Sequence, residues 1–262
     1  MKKIATAIKL KNYFSPSQIE KYDLGFKNIV YLKKPGQIDK ASHQKRNFRV
    51  AIYQKIYLIW VYWSNLVNTL TKKSNRNFEK NFNLTTEKLF LKIGLMEGNV
   101  LDVGGGCGSF RGFWSNRPGS IYVNHDPNIK SFENFIISKQ AERVFFVEGV
   151  AENLPYKDNI YDTVLIADAL DHFYNPAKSL EEAFRTLKNN GKLIILQCYR
   201  KMSWLNFVKE FIHQKMHISY LNKTKISRLI QKAGFEKTKH YNFLVPHTSI
   251  KLYVLETFKR QL

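Results

Sequence analysis

The stretch Asn99-Val100-Leu101-Asp102-Val103-Gly104-Gly105-Gly106-Cys107-Gly108 decides the fold of this 262-residue chain. Its apolar residues predict a short buried strand, and the glycines after them predict a sharp turn. Because glycine has no side chain, such a loop lets the backbone turn tightly and approach a ligand closely. The stretch therefore predicts a nucleotide-like ligand at the end of a strand.

The glycine spacing separates this loop from two familiar phosphate-binding turns. A dinucleotide fingerprint, G-x-G-x-x-G, counted from Gly104 would place its last glycine where Ser109 stands. The loop reads G-x-G-x-G instead, and it lacks the lysine before serine or threonine that a P-loop requires. NAD-type and P-loop sites are therefore disfavoured. Two interpretations stay open: another nucleotide-like ligand, or a glycine-rich turn without a ligand.

Beyond the loop, short apolar runs alternate with amphipathic segments, which is typical of a parallel sheet flanked by helices. The predicted strands are Val100–Val103, Ile121–Asn124, Val144–Val147, Thr163–Ala167, Lys192–Gln197, Lys237–Leu244 and Ile250–Thr257. The predicted helices are Ile129–Ser138, Ala177–Leu187, Trp204–Met216 and Thr224–Ala233, and a turn is predicted at Asn189–Gly191. We therefore predict an α/β fold with a doubly wound, mostly parallel, seven-stranded sheet.

The first part of the chain has a different character. Residues 1–49 are polar and weakly patterned, so no regular structure is predicted there. Residues 50–71 place aromatic and apolar side chains at three- and four-residue spacing, which predicts a helix that either packs on the sheet or forms a lid. A polar linker over residues 72–83 precedes a helix from Thr85 or Thr86 to Leu95, ended by Gly98. We predict an N-terminal helical extension, residues 1–95, and a ligand-binding domain, residues 96–262.

The formal net charge of +21 is unevenly distributed, at +14 over residues 1–95, −3 over 96–199 and +10 over 200–262. Basic flanks attract nucleic acid, anionic lipid or an anionic substrate, although a general enrichment in lysine also explains them without a partner. Two cysteines make no disulfide framework, and no Cys/His spacing suits a metal, so we predict no metal site. The most apolar run, Ile56–Trp63, is too short to span a bilayer, which favours a cytoplasmic protein.

A second candidate for ligand binding follows the second predicted strand. Asp126 ends the run Ile121–Asp126 and precedes Pro127, about 20 residues after the glycine loop. An acid at this point can accept hydrogen bonds from both ribose hydroxyls of a nucleotide. The same acid also suits an Asx-type turn before proline. Its spacing from the glycine loop favours the ribose interpretation.

The third motif is Glu148-Gly149-Val150-Ala151-Glu152-Asn153-Leu154-Pro155, followed by Tyr161-Asp162-Thr163-Val164-Leu165-Ile166-Ala167-Asp168-Ala169-Leu170-Asp171-His172. With the two earlier motifs, it resembles the cofactor-binding half of class I S-adenosylmethionine (SAM)-dependent methyltransferases. The subgroup it resembles includes the quinone-biosynthesis C-methyltransferases. The order continues with Ala177, Leu180, Glu182, Arg185, Leu187, Gly191, His217 and Lys232–Phe235. The resemblance covers about residues 90–260.

This resemblance implies SAM as the cofactor, an antiparallel seventh strand beside the fifth, and a set of cofactor contacts. The first acid would hold the methionine ammonium, the glycines would pass under the cofactor, and the second acid would bind ribose. The pair in the third motif would flank adenine, and a small residue at the end of the fourth strand would lie near methionine. These residues are Asp102, Gly104, Gly105, Gly106, Asp126, Ala151, Glu152 and Ala167.

The same resemblance places two candidate catalytic residues near the methyl-transfer region. His172 has an ordinary pKa close to neutrality, which suits a general base, and Asp168 is either a rival base or a cofactor contact. His172 also suits a helix start at which it only packs. SAM carries an activated methyl group, so alignment of the acceptor without a base is a third interpretation.

Three departures from the family pattern stand out. Val150 occupies a position that is often an aspartate contacting the adenine amine. The element L-E-H reads Leu170-Asp171-His172, and Gly105 is an additional glycine in the loop. Val150 weakens the assignment of the adenine contact more than that of the family.

We expect methyl transfer to the oxygen, nitrogen or carbon of a small-molecule acceptor that is anionic or aromatic. The alternative from the basic flanks is an RNA methyltransferase. Ala167-Asp168-Ala169-Leu170 stands where base-amine methyltransferases carry N/D-P-P-Y/F, which disfavours it. A third interpretation is a methyltransferase-like binding protein without turnover, supported by Val150 alone.

Overall fold

The structure is a computed structural model, and it describes residues 13, 19–23, 29–32, 74–129, 143–200, 221–248 and 250–260. The strands are β1 (Ile19–Asp23), β2 (Ile29–Leu32), β3 (Val100–Val103), β4 (Tyr122–Asp126), β5 (Val144–Glu148), β6 (Tyr161–Ala167), β7 (Leu187–Arg200), β8 (Phe235–Leu244) and β9 (Ile250–Lys259). The helices are α1 (Ser74–Ile93), α2 (Pro176–Thr186) and α3 (Lys223–Lys232), with 3₁₀ turns at Ser109–Phe113 and Leu170–His172. The predicted helices over residues 50–71 and Trp204–Met216, and most of Ile129–Ser138, lie outside the described residues.

The strands form one sheet in the order β1-β2-β5-β4-β3-β6-β7-β9-β8. All neighbours from β2 to β7 are parallel, whereas β9 runs antiparallel between β7 and β8. The seven predicted strands are all present, and the prediction of an antiparallel strand beside the fifth is confirmed. The fold is a doubly wound, Rossmann-like α/β fold.

Two apolar layers cover the two faces of the sheet. One layer joins inward residues of the strands to Leu180 and Ala183 of α2 and to Ile226 and Ile230 of α3. The other joins the opposite strand face to Leu89, Phe90 and other residues of α1. The central strands β3 and β4 are buried along their whole length because both faces are covered, as parallel strands require.

The described residues of the N-terminal extension include two strands, so the prediction that residues 1–49 lack regular structure is wrong. β1 and β2 pair with each other, and β2 extends the sheet beside β5. The short run Ile29-Val30-Tyr31-Leu32 has the β-branched and aromatic composition of a strand, but its polar surroundings obscured it. The predicted domain boundary near residue 95 stays a prediction.

The helix α1 begins earlier and ends earlier than predicted. It starts at Ser74, so the predicted linker over residues 72–83 is largely helical. Thr85 and Thr86 do not cap it, because their hydroxyls donate to the carbonyls of Asn81 and Phe82 at 2.7 and 2.9 Å inside the helix. The helix ends at Ile93, before Gly94, whose φ of +83° is the left-handed conformation that stops helices.

The predicted turn at Asn189–Gly191 lies inside β7. Tyr161 pairs with Leu187 and Thr163 with Lys192, so the register skips across the turn. Asn190 has φ +62°, and the segment is an irregularity in the strand pairing rather than a loop before the strand. None of the helices in the described ranges combines the length and the apolar character that crossing a bilayer demands.

Candidate cofactor site

The glycine loop after β3 has a backbone that other residues rarely adopt. Gly104, Gly106 and Gly108 have φ values of +75°, +54° and +77°. At Gly104, a Cβ atom would also lie 2.5 Å from the Cβ of Ala169. Glycine is therefore required at Gly104 both by conformation and by contact with the segment that follows β6.

The additional glycine, Gly105, is explained by a buried acid rather than by backbone conformation. A Cβ at this position would lie 2.4 Å from Asp102 Oδ2 and 2.7 Å from Asn124 Oδ1. The loop thus lies directly on polar side chains of β3 and β4. A side chain at position 105 would displace them or lift the loop.

Asp102, expected near the methionine ammonium, lies beneath the loop and is fully buried. The Tyr122 hydroxyl donates to its Oδ2 at 2.5 Å. Burial raises the pKa of Asp102 to about 7, the Tyr122 hydrogen bond opposes this, and the nearby Asp126 adds to it. Asp102 Oδ1 and Asn124 Oδ1 are buried acceptors to which no donor in the described residues is bonded.

Two neighbours on β4 support the loop and were not predicted. Asn124 Nδ2 donates to the Gly106 carbonyl at 2.8 Å, and Tyr122 bonds Asp102 as described above. The register places Asn124 opposite Asp102 on the adjacent strand. The sequence signal was the two-residue spacing of Tyr122, Asn124 and Asp126, which places all three on one face of β4.

Asp126, expected to bind ribose, is bonded to the glycine loop itself. Its Oδ2 accepts from the Gly106 N–H at 3.1 Å, and its Oδ1 accepts from the Asn128 N–H at 2.7 Å. Burial raises the pKa of Asp126, while these two backbone donors oppose the shift. Each carboxylate oxygen keeps a second acceptor site, so both ribose hydroxyls of a nucleotide can still be bound. The loop cradle and this acid fit a nucleoside cofactor.

The loop expected to flank adenine is fixed by β4 and by α2. The Val150 carbonyl lies 3.2 Å from His125 Nε2, and the Tyr156 hydroxyl lies 3.0 Å from His125 Nδ1. Burial lowers the pKa of His125 to about 4, so this histidine is neutral near pH 7. Ala151 is buried in the loop, whereas the Glu152 carboxylate accepts from the Asn175 N–H at 2.9 Å and so reaches towards the start of α2.

An arginine on α2 holds the next part of the same loop. Arg185 donates to the Leu154 and Tyr156 carbonyls at 2.9 and 2.7 Å and to Glu182 at 2.8 and 3.1 Å. Glu182 in turn accepts from the Leu154 N–H at 2.9 Å. We call Arg185 and Glu182 the α2 clamp. Both residues belong to the family pattern, but their support of the loop depends on contacts that the sequence does not reveal.

The candidate catalytic residues lie after β6, which is paired with β3. Ala167 ends β6, and Asp168 follows with φ +52°. Asp168 Oδ1 accepts from Gln197 Nε2 at 3.1 Å and from the Cys198 N–H at 3.0 Å. His172 Nε2 lies 3.8 Å from Oδ1 of the buried Asp171.

The structure therefore brings most of the candidates to one edge of the sheet. The glycine loop, Asp102 and Asp126 are joined by direct contacts, and Gly104 touches the segment between Asp168 and His172 through Ala169. The Glu152 side chain is the exception, because its carboxylate bonds outside this group. Ligands of open parallel sheets bind at this carboxyl edge.

Comparisons with known proteins agree with this architecture. A protein family described as a methyltransferase domain matches residues 101–195. An uncharacterised protein of Methanocaldococcus jannaschii is 31% identical over 153 residues, which are 57% of this chain and 70% of that protein. The demethylmenaquinone methyltransferase of Lactiplantibacillus plantarum is 29% identical over 140 residues, 45% of this chain, and this chain spans only 59% of its length.

A solved structure completes the comparison. It is a SAM-dependent methyltransferase of Thermotoga maritima, described as a possible histamine N-methyltransferase, with a TM-score of 0.50 and 25% identity. The similarity covers 71% of this chain and 99% of that one. With the glycine loop, the acid that ends β4 and the parallel sheet, these matches show that the chain belongs to the class I methyltransferases, the enzymes whose cofactor is S-adenosylmethionine.

Proposed function

We propose that this protein methylates a small-molecule acceptor. The observation that carries the proposal is the hydrogen bond between the Gly106 N–H and Asp126, at 3.1 Å. It joins the loop that would lie under the cofactor to the acid that would bind its ribose. SAM supplies an activated methyl group on a positively charged sulfur.

The chain's own residues have separate roles in this proposal. Gly104, Gly105 and Gly106 let the loop lie close to the buried side chains beneath it, so that its backbone can pass under the cofactor. Asp126 accepts from ribose. Asp102 lies below the loop, where its negative form attracts the cofactor's positive charge. Ala151 and Glu152 would line the adenine side of the cofactor, and Ala167 would line the methionine side. Glu152 would act indirectly, because its carboxylate accepts from the Asn175 N–H and so fixes the loop.

His172 is the proposed general base. Its Nε2 lies 3.8 Å from Asp171, so a proton taken from the acceptor would be stabilised by a neighbouring carboxylate. Asp168 is bonded to β7 through one oxygen, which suits a fixed wall of the acceptor site better than a mobile base. Its proposed role is to position the acceptor against the methyl group.

The proposed acceptor is a small aromatic alcohol or quinol. Support comes from the likeness to a demethylmenaquinone methyltransferase. The test incubates the protein with methyl-labelled SAM and three probes: a reduced naphthoquinone, histamine and total tRNA. Label in the naphthoquinol supports the proposal. Label in tRNA alone, or in histamine alone, would overturn the acceptor class.

The base assignment has its own measurement. His172→Gln should lower kcat on the accepted probe about 100-fold, because general-base catalysis contributes this order of rate. SAM affinity should stay within about twofold, and His247→Gln, which changes an exposed histidine between β8 and β9, should retain full turnover. An unchanged kcat in the His172 variant would leave alignment alone as the mechanism.

RNA methylation is the second candidate, and one observation favours it. The exposed side of α3 carries four cationic residues, Lys223, Lys225, Arg228 and Lys232. Such a row suits a phosphate backbone. Titration of RNA binding against salt separates the candidates, because loss of all binding near physiological salt would leave only the small-molecule proposal. Calorimetry with SAM and S-adenosylhomocysteine tests both, since a protein that binds neither at millimolar concentration is no methyltransferase.

A further inference from the structure

A buried glutamine near the end of β7 joins two acids that follow β6. Gln197 Nε2 lies 3.1 Å from Asp168 Oδ1 and 3.1 Å from Asp171 Oδ2. Gln197 is only 3% exposed and Asp171 only 8%. A primary amide nitrogen carries two hydrogens, so it can donate one to each carboxylate. No other uncharged side chain of similar length offers two donors on one atom.

The first of these bonds stabilises an unusual backbone. Asp168 has φ +52°, which lies in the left-handed region that side chains other than glycine seldom adopt. Its Oδ1 accepts both from Gln197 and, at 3.0 Å, from the Cys198 N–H. Its own N–H donates to the Leu196 carbonyl at 2.7 Å. Three bonds to one segment of β7 therefore hold Asp168 in place.

The second bond determines which oxygen of Asp171 faces the candidate base. Asp171 Oδ2 accepts from Gln197, and Oδ1 lies 3.8 Å from His172 Nε2. His172 belongs to the same 3₁₀ turn, and its N–H donates to the Ala169 carbonyl at 2.9 Å. Rotation of the Asp171 carboxylate would break the hydrogen bond from the Gln197 side-chain amide. The imidazole therefore faces a carboxylate whose orientation is set from β7.

We propose that Gln197 is a positioning residue for methyl transfer, because its amide fixes Asp168 and the Asp171–His172 pair together on the acceptor side of the site. The catalytic part of this proposal rests on the proposed function of His172. Two carboxylates that approach one nitrogen repel each other, and the two N–H groups of the amide offset that repulsion by donating to both. Leucine at 197 would remove both donors, and glutamate would add a third acid.

The first experiment requires no acceptor. In protein labelled with ¹⁵N-histidine, the His172 ring signals are assigned by their absence from His172→Gln and followed through a pH titration. Gln197→Leu should shift these signals and the midpoint of their titration. The matched control, Gln231→Leu on the exposed side of α3, should leave both unchanged. Unchanged His172 signals in a folded Gln197→Leu protein would overturn the proposal.

The second experiment measures turnover on whichever probe the wild type methylates. Gln197→Leu should lower kcat about 10- to 100-fold, because small displacements of positioning groups cost this much, while SAM affinity stays within about twofold. Gln197→Glu regains one donor when protonated, so its turnover relative to wild type should rise from pH 8 to pH 5.5. The turnover of Gln197→Leu relative to wild type should not change with pH. A loss of packing would affect both variants in the same way, so a pH dependence of Gln197→Glu alone points to the donor.

The two experiments separate two kinds of failure. If the wild type methylates none of the probes but the His172 signals respond to Gln197→Leu, the proposed function fails and the positioning by Gln197 stands. If the wild type turns over and Gln197→Leu retains its kcat, the proposed function stands and the positioning role in catalysis is overturned.

Discussion

The two halves of the candidate site are built by different means. The glycine loop owes its shape to backbone conformations that only glycine adopts easily, and to close contacts that exclude a Cβ. The end of β6 owes its shape to side-chain hydrogen bonds from Gln197, 26 to 29 residues along the chain. The glycine positions can be recognised in the sequence, whereas the hydrogen-bond partners of Gln197 cannot.

The largest expected effect falls on the glycine loop. Gly104→Val places a branched side chain where a Cβ would already lie 2.5 Å from Ala169, at φ +75°. SAM binding should weaken by more than about 100-fold, which calorimetry measures. Gly112→Val is the matched control, because a Cβ at Gly112 meets no atom within 4 Å. Normal affinity in a folded Gly104→Val protein would remove the loop from the site.

The second effect concerns the acid under the loop and its dependence on pH. Burial raises the pKa of Asp102 to about 7 from 3.8, so the native state holds this proton more tightly than the unfolded state. Its contribution to stability is therefore fully present below pH 3.8 and is lost as the pH rises towards 7. Asp102→Asn should remove this loss, on the order of 3 kcal/mol between pH 5 and pH 8.

Urea unfolding of both proteins at pH 5 and pH 8 measures this difference. The comparison between variants cancels the opposite contribution of His125, whose pKa is lowered to about 4 and which destabilises the native state as pH falls below 6.5. Equal pH dependence of the two proteins would show that Asp102 ionises as it does in water.

The third effect tests side-chain bonding against backbone shape. Arg185→Ala breaks the α2 clamp, because the Leu154 and Tyr156 carbonyls lose the arginine donor and Glu182 keeps only its bond from the Leu154 N–H among those described above. The free energy of unfolding should fall by about 2–3 kcal/mol, because the lost bonds are charge-assisted. Arg228→Ala, on the exposed side of α3, should change it by less than about 0.5 kcal/mol. A clamp variant as stable as this control would show that the loop holds its own shape.

The smallest expected effect joins the two kinds of structure. Asp126→Ala removes a side chain that both bonds the Gly106 N–H and would bind ribose. SAM affinity should fall about 10- to 30-fold, the equivalent of one or two hydrogen bonds. Glu181→Ala, an exposed acid on α2, serves as the control in the same titration. A loss no larger than that of the control would separate Asp126 from cofactor binding.

The sequence predicted the features that depend on neighbouring residues. Apolar runs such as Val144–Val147 predicted the central strands, because burial on both faces leaves a continuous apolar signal. The spacing of the glycine loop and Asp126 predicted two groups that are bonded to each other. The beginning of α1 was missed because its first turns are polar, with SNRNFEKNFN over residues 74–83.

Features that depend on tertiary contacts were beyond the sequence. Gln197 stands in an apolar strand and carries no motif, and only the fold brings it to Asp168 and Asp171. Glu152 is at a motif position, yet its carboxylate bonds Asn175, which the motif does not encode. Strands β1 and β2 needed the edge of β5 to form, and a four-residue run alone gives too weak a signal.

The β1–β2 pair also bears on how this protein behaves at high concentration. A parallel sheet that ended at β5 would offer a row of unpaired backbone donors and acceptors, flanked by apolar side chains, to another chain. In the described part of the chain, β2 pairs with this edge at Phe146 and Val147, and the sheet ends instead at the five-residue strand β1 and at β8. β8 carries Lys239 on its exposed margin, and charge there discourages strand-to-strand growth. Because the β1–β2 pair covers part of the β5 edge, its removal should favour aggregation.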